Sequence, residues 1–324
     1  MTRLALVLFT LTATLFIASL LVGPAGMGAT ESLSALLWGD GGPLTLVMRE
    51  IRLPRAVLAL MIGAALGLAG AAMQGYLRNP LADPGLIGVS GSAALGAVLA
   101  LQTGLAAAYY FALPLAALGG ALVGVFLVLA LAGPSLTLIL AGIAISALAA
   151  ALTSLVLNLS PNPFAANEIV FWMMGSLADR SMVHVWIALP LIVLGAVALA
   201  MLARGLDALT LGEDAAQALG INLTGLRLTL VFGTAAVVGA STAVAGAIGF
   251  VGLVVPHLLR PFVGAQPGRL LWASAFGGAC MLLAADIAVR VILPARDLKL
   301  GVVTALIGAP LFLHLIYRTR REGI

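Results

Sequence analysis

Long runs of apolar residues dominate this sequence and leave few folds open to it. Runs of about 20 residues, the length that a helix needs to cross the hydrocarbon layer of a membrane, recur along the whole chain, and charged residues make up only 9% of it. With a mean hydropathy of +1.18, too little polar surface remains to cover a water-soluble domain of 324 residues. The sequence therefore predicts an all-α, polytopic membrane protein with a single transmembrane domain over residues 1–324.

The apolar runs predict about ten membrane-spanning helices. We place these helices at residues 4–23, 54–75, 86–102, 111–131, 136–157, 186–204, 227–245, 249–263, 270–291 and 301–317. An even number of spans puts both termini on the same side of the membrane. The basic tail from Arg318 to Arg321 indicates that this side is the cytoplasm. Membrane lipid is then the solvent of most of the surface.

The charge balance points to membrane flanks rather than to nucleic acid. Of the 16 basic residues, all but Lys299 are arginines, and the chain contains 12 acidic residues. Several basic residues fall on the predicted outer side, where arginines commonly extend to the lipid headgroups or meet a partner. The lone Cys280 excludes an intrachain disulfide and a metal cluster held by thiolates.

The sequence lacks the motifs by which a chain supplies its own energy or catalysis. Lys299 does not follow a glycine, so no phosphate-binding loop of the GxxxxGK[ST] type exists. An intramembrane enzyme that uses His257 and Asp286 lacks the remaining catalytic groups. Asp286 lies four residues before Arg290, and we expect an ion pair on one helical face. Either another subunit supplies the energy, or the protein is a secondary carrier or a channel.

The polar loop at residues 205–226 contains a predicted two-turn helix from Glu213 to Leu219. Acidic residues occupy its first turn, where the helix dipole favours negative charge, and Gly220 is placed to end it in a left-handed conformation. Such a helix either lies on the bilayer or docks onto a soluble partner. Four apolar residues are predicted to share one of its faces: Leu211, Ala215, Ala218 and Leu219.

Six segments together carry a resemblance to a known family. They are IRLPR (51–55), GAALGLAGAAMQGYLRNPLADPGLIGVSGSAALG (63–96), LTLGEDAAQALGI (209–221), VAGAIGFVGLVVPHLLRP (244–261), LLAADIAVR (282–290) and LGVVTALIGAPLFL (300–313). In this order, and over almost the whole chain, they resemble the FecCD-type permeases. These are the membrane subunits of bacterial ABC importers for iron–siderophores, haem and vitamin B12.

The resemblance implies an ABC type II importer permease of ten spans in the bacterial inner membrane, which is a transport subunit and not an enzyme. Such a permease pairs with a second copy of itself. Two cytoplasmic ATPase subunits, which bind ATP and Mg, drive the pair, and a periplasmic binding protein delivers the ligand. The implied cargo is a metal chelate, with a ferric siderophore ranked before haem or vitamin B12. The chain itself is expected to bind no cofactor.

The resemblance also assigns roles to residues near both membrane surfaces. Arg52, Arg55 and Arg290 match arginines that pair with glutamates of the binding protein, and exposed pairs of this kind are worth about 0.2–1 kcal/mol each. Ser135 and Leu136 fall at the cytoplasmic gate of the family. Leu136 departs from the polar residues that vitamin B12 importers can have there.

A further set of residues matches the coupling helix of the family, the short helix that fits into a cleft of the ATPase. The matching residues are Gly212, Glu213, Ala216, Leu219 and Gly220. The resemblance therefore favours the docking interpretation of loop 205–226 over a helix that rests on lipid.

Overall fold

The computed structural model describes residues 2–23, 26–39, 41–131, 135–161, 163–292 and 298–321, and these are helical with no strand among them. The α-helices are α1 (Thr2–Leu21), α2 (Ala29–Trp38), α3 (Pro43–Leu46), α4 (Leu53–Leu77), α5 (Val89–Gln102), α6 (Leu105–Ala108), α7 (Ala112–Leu131), α8 (Ser135–Asn158), α9 (Pro163–Met173), α10 (Met182–Met201), α11 (Ala203–Leu209), α12 (Glu213–Ala218), α13 (Leu223–Ala245), α14 (Val251–Leu259), α15 (Pro267–Ile292) and α16 (Leu300–Arg321). A π-helical segment, Val47–Arg52, leads into α4. Short 3-10 helices, Pro84–Ile87 and Arg260–Val263, precede α5 and follow α14.

Each predicted span overlaps an apolar helix, so the all-α polytopic class is confirmed. Seven helical segments have the length and composition to cross a membrane: Thr2–Leu21, Pro43–Leu77, Ala112–Leu131, Thr137–Asn158, Met182–Met201, Leu223–Ala245 and Pro267–Ile292. The other predicted spans coincide with the shorter apolar helices Val89–Gln102, Val251–Val263 and Leu300–His314. Two of these three helices, α5 and α14, begin directly after a residue with positive φ, Gly88 and Phe250 respectively. The backbone that leads into each of them is therefore irregular.

Helix α4 lies at the centre of the bundle, where its glycines allow α15 to come close. A Cβ atom on Gly63 would collide with the carbonyl of Gly278, and one on Gly67 would collide with the carbonyl of Ser274. Small residues at a helix interface are the usual means by which membrane helices approach each other. Because Gly63 and Gly67 are four residues apart, they lie on the same face of α4 and together open it to α15.

We expect Gly67→Ala to lower the free energy of unfolding by about 1–3 kcal/mol, because the added methyl group must push α15 away from α4. Gly119→Ala is the matched control. A Cβ atom on Gly119, in α7, meets no atom within 4 Å, so this change is expected to stabilise the protein by up to about 1 kcal/mol. Thermal unfolding of both variants in one detergent measures the difference. Equal shifts would contradict the close contact between α4 and α15.

The backbone between α13 and α14 is irregular in the middle of the bundle. Gly246 and Phe250 have φ angles of 72° and 68° at the two ends of this segment. Gly252, in the first turn of α14, packs against Pro84 and the carbonyl of Leu66, and Leu66 lies midway along α4. Irregular backbone at this depth is tolerated where other protein segments cover it. The break turns α14 into a half-length helix that begins inside the bundle.

Helices α8 and α16 lie at the periphery of the helix bundle and expose broad apolar faces. Helix α8 packs on α5 and α7, and α16 packs on α14 and α15. Their large exposed side chains include Leu140, Ile143, Leu148, Leu152 and Leu155 on α8 and Leu306, Ile307 and Leu313 on α16. Faces of this composition lie against lipid or against another protein chain.

Candidate functional site

Helix α12 is a short, exposed helix within loop 205–226. It runs from Glu213 to Ala218, and Gly212 and Gly220 flank it with φ angles of 105° and 83°. Beyond its end, the N–H of Ile221 donates to the carbonyl of Ala216 at 3.0 Å. Glycine adopts the left-handed conformation without the penalty that other residues have. Gly220 therefore ends the helix as the sequence predicted.

Ala216 is the buried residue of α12, while the larger apolar side chains beside it face away from the bundle. Ala216 is fully buried in the main hydrophobic core, whereas Leu211 and Leu219 are 68% and 64% exposed. The predicted apolar face that contains these two leucines is thus not the face that packs on this chain. The family resemblance places Ala216 in the coupling helix, and that role stays a prediction. The methyl group of Ala216 has no exposed surface, so Ala216 positions the helix.

Glu213 has a neighbour that sequence reasoning missed. Nη2 of Arg78 lies 3.9 Å from Oε1 of Glu213, and both side chains are about half exposed. Arg78 follows α4 and has a left-handed backbone (φ 49°). A long, exposed ion pair contributes at most about 1 kcal/mol, so it leaves Glu213 available to a partner. The two residues are 135 positions apart in the sequence, so no local sequence pattern predicts this ion pair.

The residues at the expected gate begin a helix. Helix α8 starts at Ser135, and Leu136 follows within its first turn. The side chains of both residues fall outside the part of the chain that the structure describes. Their role as a gate stays a prediction from the family resemblance.

At the opposite end of the bundle, a buried carboxylate holds two of the predicted docking arginines. Asp286 is fully buried in α15. Its Oδ1 accepts a hydrogen bond from Nε of Arg55 at 2.8 Å, and its Oδ2 lies 2.8 Å from Nη2 of Arg290. The predicted ion pair between Asp286 and Arg290 is confirmed. The second partner, Arg55, was not predicted.

The carbonyl end of α1 binds the same group of arginines. Nη1 of Arg52 donates to the carbonyls of Leu20 at 3.0 Å and Leu21 at 2.9 Å. Nη1 of Arg290 donates to the carbonyl of Ser19 at 2.8 Å. Cations are favoured at helix C-termini, where unpaired carbonyl groups concentrate negative partial charge. The last turn of α1 therefore satisfies donors from the π-helical segment before α4 and from α15.

These contacts correct the expectation that the three arginines form exposed pairs. Only 4% of Arg52 is exposed, and the side chains of Arg55 and Arg290 are 16% and 7% exposed. Nη2 of Arg52 is buried without an acceptor among the described residues. Internal carbonyls and Asp286 outcompete water for the guanidinium groups, because burial makes an unpaired charge costly.

We call Arg52, Arg55, Asp286 and Arg290 the arginine cluster. Three guanidinium groups and one carboxylate leave a formal surplus of two positive charges (3 − 1 = 2). The carbonyl dipoles of α1 offset part of this charge. An anionic group arriving at this end of the bundle would meet a complementary potential.

A third place of interest is a cavity of about 180 Å³ beside the break before α14. Asp83 contributes to its wall, and its Oδ1 accepts a hydrogen bond from the N–H of Gly85 at 2.7 Å. Loss of water around the carboxyl raises the pKa of Asp83, and the bond from Gly85 opposes this shift. Within the described ranges, no group of three or more His, Cys, Asp or Glu side chains lies together as metal ligands would.

The architecture defines a helical membrane protein with the short, exposed helix α12 at one end and a buried arginine cluster at the other. A model of the FecCD transport family matches residues 11–318. The chain therefore belongs to the FecCD transport family. Its membrane-spanning class and the resemblance seen in the sequence are both confirmed.

Relatives with assigned names cover most of the chain. The hemin transport system permease protein of Yersinia pestis is 38% identical over 318 residues, which is 94% of this chain and 93% of the relative. The Fe(3+) dicitrate transport system permease protein of Escherichia coli strain K12 is 38% identical over 285 residues, 87% of this chain and 89% of the relative. The vitamin B12 import system permease protein of Klebsiella pneumoniae is 40% identical over 279 residues, 85% of this chain and 83% of the relative.

A solved structure shares the same fold. It is an inward-facing transporter assigned to the metal-chelate type of ABC transporter, with a TM-score of 0.88 and 32% sequence identity. The match covers 98% of this chain and 100% of that one. The helix arrangement described above is therefore that of an ABC transporter permease.

Proposed function

We propose that this chain is the membrane-spanning subunit of an ATP-driven importer that carries a metal chelate from the periplasm to the cytoplasm. The observation that carries the proposal is α12, a two-turn helix fixed by the buried Ala216 with Leu211 and Leu219 exposed around it. Exposed leucines on a rigid, solvent-facing helix favour a protein partner. Because the chain has no phosphate-binding loop, an ATPase that docks on α12 supplies the energy.

The names of the relatives support metal chelates as the class of transported ligand. Permeases named for hemin, ferric dicitrate and vitamin B12 are similar to this chain at 38–40% identity. All three ligands are large chelates with a central metal. We propose a ferric siderophore first, with haem and vitamin B12 as the other members of this class. The chelate moves as substrate, and no cofactor is assigned to this chain.

The proposed assembly contains two copies of the permease, two ATPase subunits with their ATP and Mg, and one periplasmic binding protein, in the bacterial inner membrane with both permease termini in the cytoplasm. The apolar faces of α8 and α16 support the pairing of two permeases. In a twofold dimer the same face of each copy meets its equivalent. The remaining apolar surface is proposed to contact lipid.

Reconstitution in vesicles tests this function. The chain is incorporated together with the proposed ATPase and periplasmic binding protein. A ferric hydroxamate siderophore, haem and cyanocobalamin serve as probes. Uptake is expected only when ATP, the ATPase and the binding protein are all present. Ligand flux in vesicles without the ATPase would instead identify a secondary carrier or a channel.

We propose further that the arginine cluster receives acidic residues of the binding protein. The surplus of two positive charges supports this, and so does Nη2 of Arg52, which has no acceptor in the described part of the chain. Since the guanidinium groups already hold Asp286 and the carbonyls of α1, docking would rearrange these contacts rather than simply add new ones. Their contribution is then mainly to steering and orientation.

Charge reversal at Arg52 and Arg55 is expected to lower binding-protein-stimulated ATP hydrolysis, because a binding protein with acidic docking residues would meet repulsion. Arg52→Gln isolates the electrostatic part, since glutamine removes the charge and retains a hydrogen-bond donor. For this variant the association rate should fall, and its dependence on salt should weaken. Kinetics of binding-protein association with the nanodisc-embedded complex measure both quantities.

Arg269→Gln is the control, because Arg269 is exposed at the end of the bundle that carries α12. Its association rate should match that of the wild type. If Arg52→Gln and the double reversal also leave association and stimulation unchanged, the arginine cluster does not dock the binding protein.

A further inference from the structure

Asp207, in α11, links loop 205–226 to the start of α15. Its Oδ1 accepts a hydrogen bond from the backbone N–H of Gly268 at 2.7 Å, and its Oδ2 accepts one from Nε2 of Gln266 at 2.9 Å. Gly268 is the second residue of α15, where helical N–H groups lack intrahelical partners. Asp207 therefore caps a helix that begins 60 residues later in the sequence.

The contact between Asp207 and Gly268 is close, and the residue next to Asp207 is packed against α4. A Cβ atom on Gly268 would lie 2.7 Å from Oδ2 of Asp207, so glycine allows the carboxylate to reach the helix end. The neighbouring Leu206 is fully buried and lies against Gly75, in the last turn of α4. Helix α11 is thus fixed between the end of α4 and the beginning of α15, and three residues separate it from α12.

Helix α15 connects this contact to the arginine cluster. It is continuous over 26 residues, a length of about 39 Å at 1.5 Å per residue, and no proline follows Pro267 within it. Its far end carries Asp286 and Arg290, which bind Arg55 and the last turn of α1. A displacement of α11 along the bundle would therefore move the first turn of a rod that ends in the arginine cluster.

We propose that Asp207 is a positioning residue that couples movement of the docking helix α12 to α15, and through α15 to the arginine cluster. The inference rests on the proposed function. The carboxylate tightens the connection in two ways, since it makes charge-assisted hydrogen bonds and complements the positive end of the α15 dipole. Asp207 itself contacts neither the ATPase nor the transported chelate.

The test uses the complete transporter in nanodiscs, with the ATPase and the binding protein. In Asp207→Ala, the ratio of binding-protein-stimulated to basal ATP hydrolysis is expected to fall about fivefold or more, the range of coupling between distant sites. Basal hydrolysis and the yield of assembled complex should stay at wild-type levels. Asp207→Asn should keep much of the ratio, because its carbonyl oxygen can still accept from Gly268.

Asn222→Ala is the matched control. Asn222 also caps a helix beside α12, since its Oδ1 accepts from the N–H of Gly225 at 3.0 Å, but it caps α13, the helix that it precedes. Loss of this cap should leave the ratio of stimulated to basal hydrolysis unchanged. A merely structural role for Asp207 predicts instead that stimulated and basal hydrolysis fall in parallel in Asp207→Ala. An unchanged ratio in the assembled variant would overturn the proposal.

A second variant covers the case in which Asp207→Ala does not assemble. Gly268→Ala retains Asp207 but forces its carboxylate away from α15, and it should reproduce the loss of the ratio. A normal ratio in Gly268→Ala would refute the proposal. Stimulation of the wild-type complex by the binding protein tests the proposed function separately, because that stimulation does not depend on any of these variants.

Discussion

Asp286→Asn is expected to lower the free energy of unfolding by about 3–5 kcal/mol, the usual cost of removing one partner from a buried ion pair. The substitution leaves Arg55 and Arg290 facing a neutral amide, although both side chains are largely buried. Both guanidinium groups would then lie at a buried site without an anionic partner. Thermal unfolding of the detergent-solubilised protein measures the change.

Asp179→Asn is the control for this variant. Asp179 is an exposed acid with a left-handed backbone (φ 57°), a conformation that asparagine adopts readily. We expect its stability to stay within about 0.5 kcal/mol of the wild type. A double variant, Asp286→Asn with Arg290→Gln, should be less unstable than the sum of its single changes, because the charge left unpaired is also removed. Strict additivity would contradict the ion pair.

The same residue separates the importer from a secondary carrier. A carrier driven by protons would need a titratable acid within its spans, and Asp286 is the acid that the sequence places there. In vesicles without the ATPase, we expect neither the wild type nor Asp286→Asn to move a chelate in response to a proton gradient. A gradient-driven flux that disappears in Asp286→Asn would favour the carrier and contradict the paired, structural carboxylate.

Leu219→Asp is expected to abolish ATP-driven uptake while the folded permease and its proposed dimer are preserved. The side chain of Leu219 is 64% exposed, so the folded permease loses little packing. At an interface with an ATPase, an unpaired carboxylate would be desolvated, and association should weaken by at least about 2 kcal/mol, the range of interface hot spots. Uptake into vesicles, pull-down of the ATPase and thermal unfolding together give the result.

Other changes on α12 test this interpretation. Glu213→Lys should also abolish uptake without loss of the dimer, since it reverses a charge at the exposed start of the helix. Gln217→Asp, at another exposed position, controls for the effect of an added charge and should retain more uptake. Ala216→Asp should instead destabilise the permease, because Ala216 is fully buried. Normal uptake by Leu219→Asp and Glu213→Lys would rule out the docking role of α12.

Local sequence patterns predicted α12 well, because its signals lie within a few residues of each other. The acids of the first turn and the glycine after the last turn determine where a short helix starts and stops, and the observed helix ends one residue before the prediction. The outward direction of Leu219 could not be read from the same pattern. Which face is buried depends on the core that receives Ala216, and that core is built by helices distant in sequence.

In the arginine cluster, most of the contacts join residues distant in the sequence and were not predicted. Spacing along one helix was enough to predict the pair of Asp286 and Arg290, since residues four apart share a face. Arg55 reaches the same carboxylate across 231 positions. Arg52 is buried against α1, although its position at a span flank favoured an exposed side chain. Both contacts depend on how α1, α4 and α15 pack, and hydropathy contains no information about that packing.

The amino-acid sequence by itself determined the class of this protein, most of its helices and its membership of a permease family. Apolar length and helix-ending residues are local properties, and lipid forces the backbone to satisfy its hydrogen bonds within each helix. The tertiary structure alone decided which charges are neutralised and which faces stay open. In it, the arginines that the family resemblance presents as docking residues are largely buried, and Asp207 contacts α15, which begins 60 residues later in the sequence. Such pairings depend on distances of a few ångströms between segments, which are established only when the helices pack.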